Sequence, residues 1–410
     1  MFSTRFSSRL FPVAVAITLL GITGCTSQAQ PITSLANGSA TAALGVNVSR
    51  VPQGGLVPQL VARDGILHLI YFQGEARGGD IFYLNSRDDG RNWSAPLRVN
   101  SQSGSAVAMG TIRGPQLGIG REGRAFVVWN GSDKARPRNA FAPNSEQKYG
   151  AAPLLFTRLD DAGTAFEPQR NLMTRTFNLD GGAGVACDET GRVYVAWHAN
   201  TAAGQDEGAR QVFLSTSSDD GRSFAPERAV WDAPTGACGC CQLRVMAQGQ
   251  QVALLYRSAR EMVNRDTYYL LSNDGARTFT GTKVQNWEIA ACPMSSFSLA
   301  QRGAQTLGAW ESEKRVHFAP LTANAAPTRI TDAAPGDNQK YPTLAANASG
   351  QTLLAWTEGT RWARGGQLKW QIYDASGAAV AGASGQREGV PAWSFPAAFV
   401  RADGSFGLLF

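Results

Sequence analysis

The sequence predicts an all-β fold, a propeller of four-stranded antiparallel blades, and three observations carry that expectation. A hairpin-like unit recurs seven times, a compact Ser-x-Asp-x-Gly turn recurs between the hairpins, and no long stretch carries the 3.6-residue apolar periodicity of a helix. The units begin at Pro58 (PQLVARDGILHLIYF), Pro115 (PQLGIGREGRAFVVW), Gly184 (GVACDETGRVYVAW) and Leu243 (LRVMAQGQQVALLY). Three more begin at Phe297 (FSLAQRGAQTLGAW), Pro342 (PTLAANASGQTLLAW) and Pro396 (PAAFVRADGSFGLLF). Each is a short apolar strand, a turn and a second apolar strand, most often closing on an aromatic residue. Spacings of roughly fifty to seventy residues suit blades rather than separate domains. Seven units favour seven blades over six. The last unit ends before a third strand, so an N-terminal strand around Ala42 to Val51 is expected to complete that blade and close the ring without a free edge.

The intervening turns have their own chemistry. Ser86-x-Asp88-x-Gly90-x-x-Trp93 and Ser217-x-Asp219-x-Gly221-x-x-Phe224 are the full copies. Asp161-x-Gly163-x-x-Phe166 and Ser272-Asn273-Asp274-Gly275, ending at Phe279, are degenerate ones. Glycine supplies a backbone conformation that a Cβ disfavours, the carboxylate accepts turn N–H groups, and the aromatic packs beneath. Asp88 and Asp219 are therefore expected to be structural. Antiparallel blades place these turns and the hairpin turns on one face. The segments entering each first strand and leaving each second strand then share the other, where functional residues are expected.

The N-terminus reads as an address. Arg5 and Arg9 precede an apolar run from Leu10 to Leu20 that ends at Ile22-Thr23-Gly24-Cys25, the pattern of a secretory leader. Cysteine directly after small residues is similar to a bacterial lipoprotein signal, which implies an acylated Cys25. Thr26 favours the outer membrane over the inner. Residues 1–24 form the expected leader, 25–40 a Ser/Thr/Ala/Gly-rich tether and 41–410 the propeller. A net charge of +6, scattered along the chain, argues against nucleic acid as a partner. A monomer without cofactor is expected, with a glycan or small molecule as ligand.

The Ser-x-Asp-x-Gly turns resemble the Asp boxes of the sialidase (neuraminidase) superfamily, and the resemblance runs from about residue 50 to the end. It implies that the turns lie away from the active site. It further implies a loop with Glu75 and Arg77 followed by Asp80 as acid/base, and Tyr341 as nucleophile. A carboxylate grip would come from Arg257 with Arg265 beside it and Arg315 as the third member; guanidinium suits this because its planar fork binds carboxylate through two hydrogen bonds. The family's opening Arg-Ile-Pro is replaced by Leu56-Val57-Pro58, and the Glu that should polarise the tyrosine falls at or near Cys240. A competing alignment puts Phe395 in the place of Tyr341. These departures favour an envelope-anchored propeller that binds a glycan or other ligand on its channel face. A retaining exo-α-sialidase-type glycosidase is the alternative, and a structural or assembly lipoprotein the second.

Cysteines and histidines complete the inventory. Cys238, Cys240 and Cys241 enter the fourth unit and Cys292 the fifth, all on the candidate face. In an oxidising envelope these are disulfide candidates, for example Cys292 with Cys240 or Cys241, and no metal is expected. The alternative reading is a thiolate site for Cu(I) or Zn with Met294 or Met246 nearby. Cys187 reads as a buried thiol. His68 and His317 lie within strands and read as packing residues, whereas His198 ends the third unit on the candidate face, where it would contact a sugar. No Ser/His/Asp arrangement or phosphate-cradling loop is present.

Overall fold

The chain was analysed as a computed structural model, which describes residues 45–140 and 151–410. The leader, Cys25 and the tether lie outside the described residues. Seven radial sheets surround a central channel. Blade one comprises Leu56–Arg63, Ile66–Glu75, Gly78–Ser86 and Leu97–Arg98; blade two comprises Gln116–Ile119, Ala125–Asn130, Leu154–Arg158 and Arg170–Asn171. Blade three comprises Ala183–Cys187, Val193–Ala199, Gln211–Ser217 and Arg228–Ala229; blade four comprises Arg244–Gln248, Gln251–Arg257, Thr267–Ser272 and Thr280–Gln285. Blade five comprises Phe297–Arg302, Gln305–Ser312, Arg315–Leu321 and Thr331–Asp332; blade six comprises Lys340–Ala346, Thr352–Glu358, Gly366–Tyr373 and Ala379–Val390. The seven repeated units are the inner hairpins of the seven blades.

The seventh blade departs from four strands. Ala397–Val400 and Phe406–Leu409 form its hairpin, and the third strand is Val46–Ser49 from the other end of the chain. Val46 pairs with Phe406 and Ser49 with Leu409, in parallel rather than antiparallel register. The N-terminal strand was expected; its parallel sense follows from geometry, because the chain must reach the channel face before blade one's first strand descends. The Val51 N–H donates to the Phe410 carbonyl at 3.1 Å and the Phe410 N–H to Ser49 at 3.2 Å, which fastens the two ends together.

The core is divided between the blades. Along Ile66–Glu75, Leu67, Leu69 and Tyr71 pack toward Phe399 and Leu409 of blade seven, while Ile70 and Phe72 pack toward Val127 and Trp129 of blade two. Every blade is thus buried on both faces, which is why the second strands read as nearly continuous apolar runs instead of alternating ones. The aromatic that closes those strands has a second task. The Trp129 indole N–H reaches the Ser105 carbonyl (3.3 Å), the Trp197 indole the Thr176 hydroxyl (3.1 Å), and the Tyr256 hydroxyl bonds Thr235 (2.7 Å). Each partner sits in the connector arriving from the preceding blade, so a core residue fixes a channel-face loop.

The turns on the opposite face behave as their composition suggests. Asp88 accepts the Ser86 hydroxyl (2.8 Å) and the Asn92 N–H (2.9 Å), and Asp219 repeats this with Ser217 (2.7 Å) and Ser223 (2.9 Å). Hydrogen bonds to the charged form hold Asp88 at about 2, below the usual carboxylate range. Gly221 has φ 76°, and a Cβ there would lie 2.8 Å from Phe126, so conformation and packing both exclude a side chain. In the degenerate second-blade turn the reading of Asp161 is corrected. Asp160 is the carboxylate that accepts the N–H four residues on, from Thr164 at 2.8 Å. Asp161 instead points outward to Arg222 at 2.8 Å.

Two outcomes follow for unfolding measured with denaturant. Trp197→Ala should cost about 3–5 kcal/mol for the lost core volume, and Trp197→Phe about 1–2 kcal/mol, chiefly for the lost indole hydrogen bond to Thr176, whose hydroxyl keeps its bond to Glu227. Deleting residues 45–49 should expose the edge of Phe406–Leu409 and give concentration-dependent self-association in light scattering.

Candidate functional site on the channel face

Every first strand lines the channel, among its residues Gln59, Gln116, Gly184, Arg244, Ser298, Thr343 and Ala397. They enclose a cavity of about 180 Å³ whose upper wall includes Gln242, Ser296, Tyr341 and Phe395. Arg244 is the charged member of this ring. Its Nε donates to the Phe297 carbonyl at 2.8 Å and its Nη1 crosses to the Gln59 amide oxygen at 3.0 Å. Among the described residues it has no carboxylate partner, and burial lowers its pKa to about 10. The Gln116 amide nitrogen and both amide atoms of Gln242, buried in the same wall, make no hydrogen bond within the protein. Buried polar groups without partners are costly, and their concentration around one cavity marks it as a place built to meet a polar ligand.

Tyr341 stands at this cavity through a backbone irregularity. A bulge between Lys340 and Thr343 and a φ of 56° turn it off the regular strand. Its ring centroid is 6.1 Å from that of Phe395 of the neighbouring blade, so the two residues that competed for one family position both line the channel. Burial raises the Tyr341 phenol above its ordinary value, although the Lys340 ammonium and the Thr111 hydroxyl pull it down. Glu311 does lie close, but it does not polarise the phenol. Its Oε1 accepts the Tyr341 N–H (2.7 Å) and the Ser296 N–H (3.0 Å), and its Oε2 accepts Lys340 (2.9 Å). Burial alone would lower Lys340, yet the Glu311 charge overrides it and raises it.

The remaining expected residues are spread over this face without converging. Glu75 and Arg77 are exposed at the tip of blade one. Asp80 accepts the Asn100 amide (2.8 Å), the Ser103 hydroxyl (3.1 Å) and the Gly104 N–H (2.8 Å), so its carboxylate folds the loop into blade two. Arg257 is 1% exposed and donates to the Ser295 hydroxyl and to the carbonyls of Arg265 and Glu311. Arg265 is buried against Glu207 at 2.7 Å, and Arg315 lies on an outer strand 4.0 Å from Asp332. His198 is buried, with Nε2 on the Cys241 carbonyl at 3.0 Å. His68 bonds the Tyr83 hydroxyl at 2.7 Å, and His317 bonds Asp332 at 2.8 Å.

The disulfide candidates separate into a buried group and an exposed residue. No disulfide joins the described cysteines, and Cys292 is exposed whereas Cys238, Cys240 and Cys241 are buried together. A single tight turn, with the Cys241 N–H on the Cys238 carbonyl at 3.2 Å, folds the three thiols onto one another. Their sulfurs lie 3.0 Å (Cys238–Cys241) and 3.6 Å (Cys238–Cys240) apart, well beyond a covalent bond. Met294 packs on this group, while Met246 lines the channel instead.

Sequence reasoning missed three features of this face. Arg244 is hidden inside an apolar strand; the signal is the second position of the repeated unit, which is polar in five of the seven copies. Trp362 is 57% exposed in the blade-six loop, and Trp393, at 4.8 Å and edge-on, links it to the cluster containing Tyr341 and Phe395. The third is the pairing of Glu311 with Lys340.

No family model matches the chain and no curated protein matches it. Among solved structures, a Dyadobacter fermentans protein of unknown function is 14% identical, with 84% of this chain and 86% of that one covered at a TM-score of 0.46. An α-L-arabinanase of Penicillium chrysogenum in complex with arabinobiose is 12% identical (82% and 97% covered, TM-score 0.49). A sialidase of Streptococcus pneumoniae is 8% identical (74% and 65% covered, TM-score 0.48), so this chain spans just under two thirds of its length. These likenesses concern the path of the chain and transfer no residue role.

The histidines make a pH prediction. Burial, reinforced for His68 by Arg63 and Arg87 and for His198 by Arg210, lowers both to about 4 from an ordinary 6.5. The unfolded chain therefore binds more protons between those values, and the stability contribution is complete above about 6.5 and lost as pH falls toward about 4. His198→Gln should flatten the decline of unfolding free energy over this window.

Proposed function

We propose that the channel face binds an anionic, carboxylate-bearing glycan without hydrolysing it, on a chain anchored to the bacterial envelope through an acylated Cys25. The observation that carries the reading is the cavity around Arg244: a half-buried guanidinium with no carboxylate partner among the described residues, beside Gln116 and Gln242 amides with free hydrogen-bonding capacity. A carboxylate placed there regains Coulomb energy that burial has cost the arginine. Trp362 and Trp393 extend from the exposed rim toward Phe395 and Tyr341, and flat aromatic surfaces beside hydrogen-bonding groups suit the apolar faces of sugar rings.

Binding is favoured over sialidase chemistry on the state of the catalytic candidates. The Asp80 carboxylate is engaged by three donors, Arg257 is walled in, and the Tyr341 phenol is raised instead of activated. The assembly-lipoprotein alternative has less support, because a structural ring gains nothing from unpaired polar groups in its channel.

A glycan array followed by calorimetry tests this. Wild type should bind carboxylated oligosaccharides, and Arg244→Gln should weaken them about 10- to 100-fold while sparing neutral glycans. A fluorogenic sialoside should remain intact; turnover that disappears in Tyr341→Phe and Asp80→Asn would replace binding with the glycosidase reading.

A further inference from the structure

The geometry points to a Cu(I) site beside the channel, with Cys238, Cys240 and Cys241 holding one ion as three thiolates. The three sulfur atoms lie within 4.8 Å of one another and all three side chains are buried. Trigonal thiolate coordination at about 2.3 Å places sulfurs about 4 Å apart, so a slight opening of the turn admits the ion. The turn itself is held from outside. Its Gly239 N–H donates to Glu207 at 2.9 Å, and the Cys238 N–H donates to the Arg257 carbonyl at 2.9 Å.

A second observation is the buried cation beside the sulfurs. Arg257 is fully buried and, among the described residues, pairs with no carboxylate. Its Nε donates to the Ser295 hydroxyl at 2.7 Å, and that hydroxyl donates to the Cys241 sulfur at 3.3 Å. A buried guanidinium demands an anion. Three neutral thiols supply none, and a Cys238–Cys241 disulfide would supply none either. Thiolate at Cys241 answers the arginine, and a shared Cu(I) cancels one of the two negative charges that ionising Cys238 and Cys240 adds.

The donor set selects the ion. Zinc sites in proteins are almost always four-coordinate, with nitrogen, oxygen or sulfur completing the tetrahedron. Here Glu207 is committed to Gly239 and Arg265, and His198, which holds the Cys241 carbonyl through Nε2, has an unpaired Nδ1 that is not among the ligand atoms gathered with the three sulfurs. What remains next to the cluster is the Met294 thioether, a soft ligand that suits Cu(I). Loading releases the thiol protons, one for each thiol that ionises on binding, and involves no change of oxidation state when the metal arrives as Cu(I).

Full-length protein, reduced and kept under nitrogen, should withdraw one equivalent of Cu(I) per chain from a chromophoric Cu(I) chelator. X-ray absorption should show three sulfur neighbours at about 2.3 Å. Cys238→Ser and Cys241→Ser should abolish this, Ser295→Ala should weaken it about 10- to 100-fold, and Cys187→Ser, in another blade, should leave it unchanged. If the ligand variants fail to fold, the wild-type titration and the Cys187→Ser comparison still decide. No withdrawal of Cu(I) by the reduced wild type, Zn(II) held in preference to Cu(I), or protein isolated metal-free with a Cys238–Cys241 disulfide would each overturn the assignment.

Discussion

Every blade is apolar on both of its faces, and the rest of the structure depends on that constraint. A sheet buried on two sides has no stable existence alone, because each face must meet a neighbour, and in a plane the series of neighbours ends only by returning to its start. The seven apolar interfaces, from that between blades one and two to that between blades seven and one, are successive instances of the same contact. Completing blade seven requires a strand from the far end of the chain, with Val46 and Val48 packed into the interface shared with blade six, which is why four residues, Val46–Ser49, have an importance out of proportion to their length.

The channel face inherits its precision from this core. Trp129, Trp197 and Tyr256 each spend their apolar body on an interblade interface and their single polar atom on a connector. Loops that carry Thr111, Asp180 or the cysteine turn are therefore positioned by side chains whose own rotamers are locked by packing. The face divides its polar groups into two kinds. Asp80, Glu207 and Lys340 are engaged by protein partners and hold loops in place. Arg244, Gln116 and Gln242 are left with capacity to spare, and they share one cavity.

How much of this was legible in the sequence follows from what repeats. The seven hairpins were readable because each copy restates the same alternation of turn and apolar run. The closing strand was readable because the last copy was visibly incomplete. Site residues do not repeat, and there the reading thinned. Arg257 was placed correctly at the channel end of a second strand, but strand position does not say whether a guanidinium points to solvent or into a wall. The cysteines were placed on the right face, yet their partners depended on how tightly one four-residue turn folds. Asp160 and Asp161 differ by one position, and only the hydrogen bond to Thr164 distinguishes the turn carboxylate from its exposed neighbour.

The parallel register of the first strand has a directional meaning. Gly45 accepts the Phe406 N–H beside the final hairpin turn, on the face that carries the Asp88 and Asp219 turns, and the chain then climbs toward the channel mouth. Polypeptide preceding residue 45 thus joins the propeller at its rear. The way into the ring is therefore the face of the Asp turns, and the Arg244 cavity lies at the opposite end of the strands.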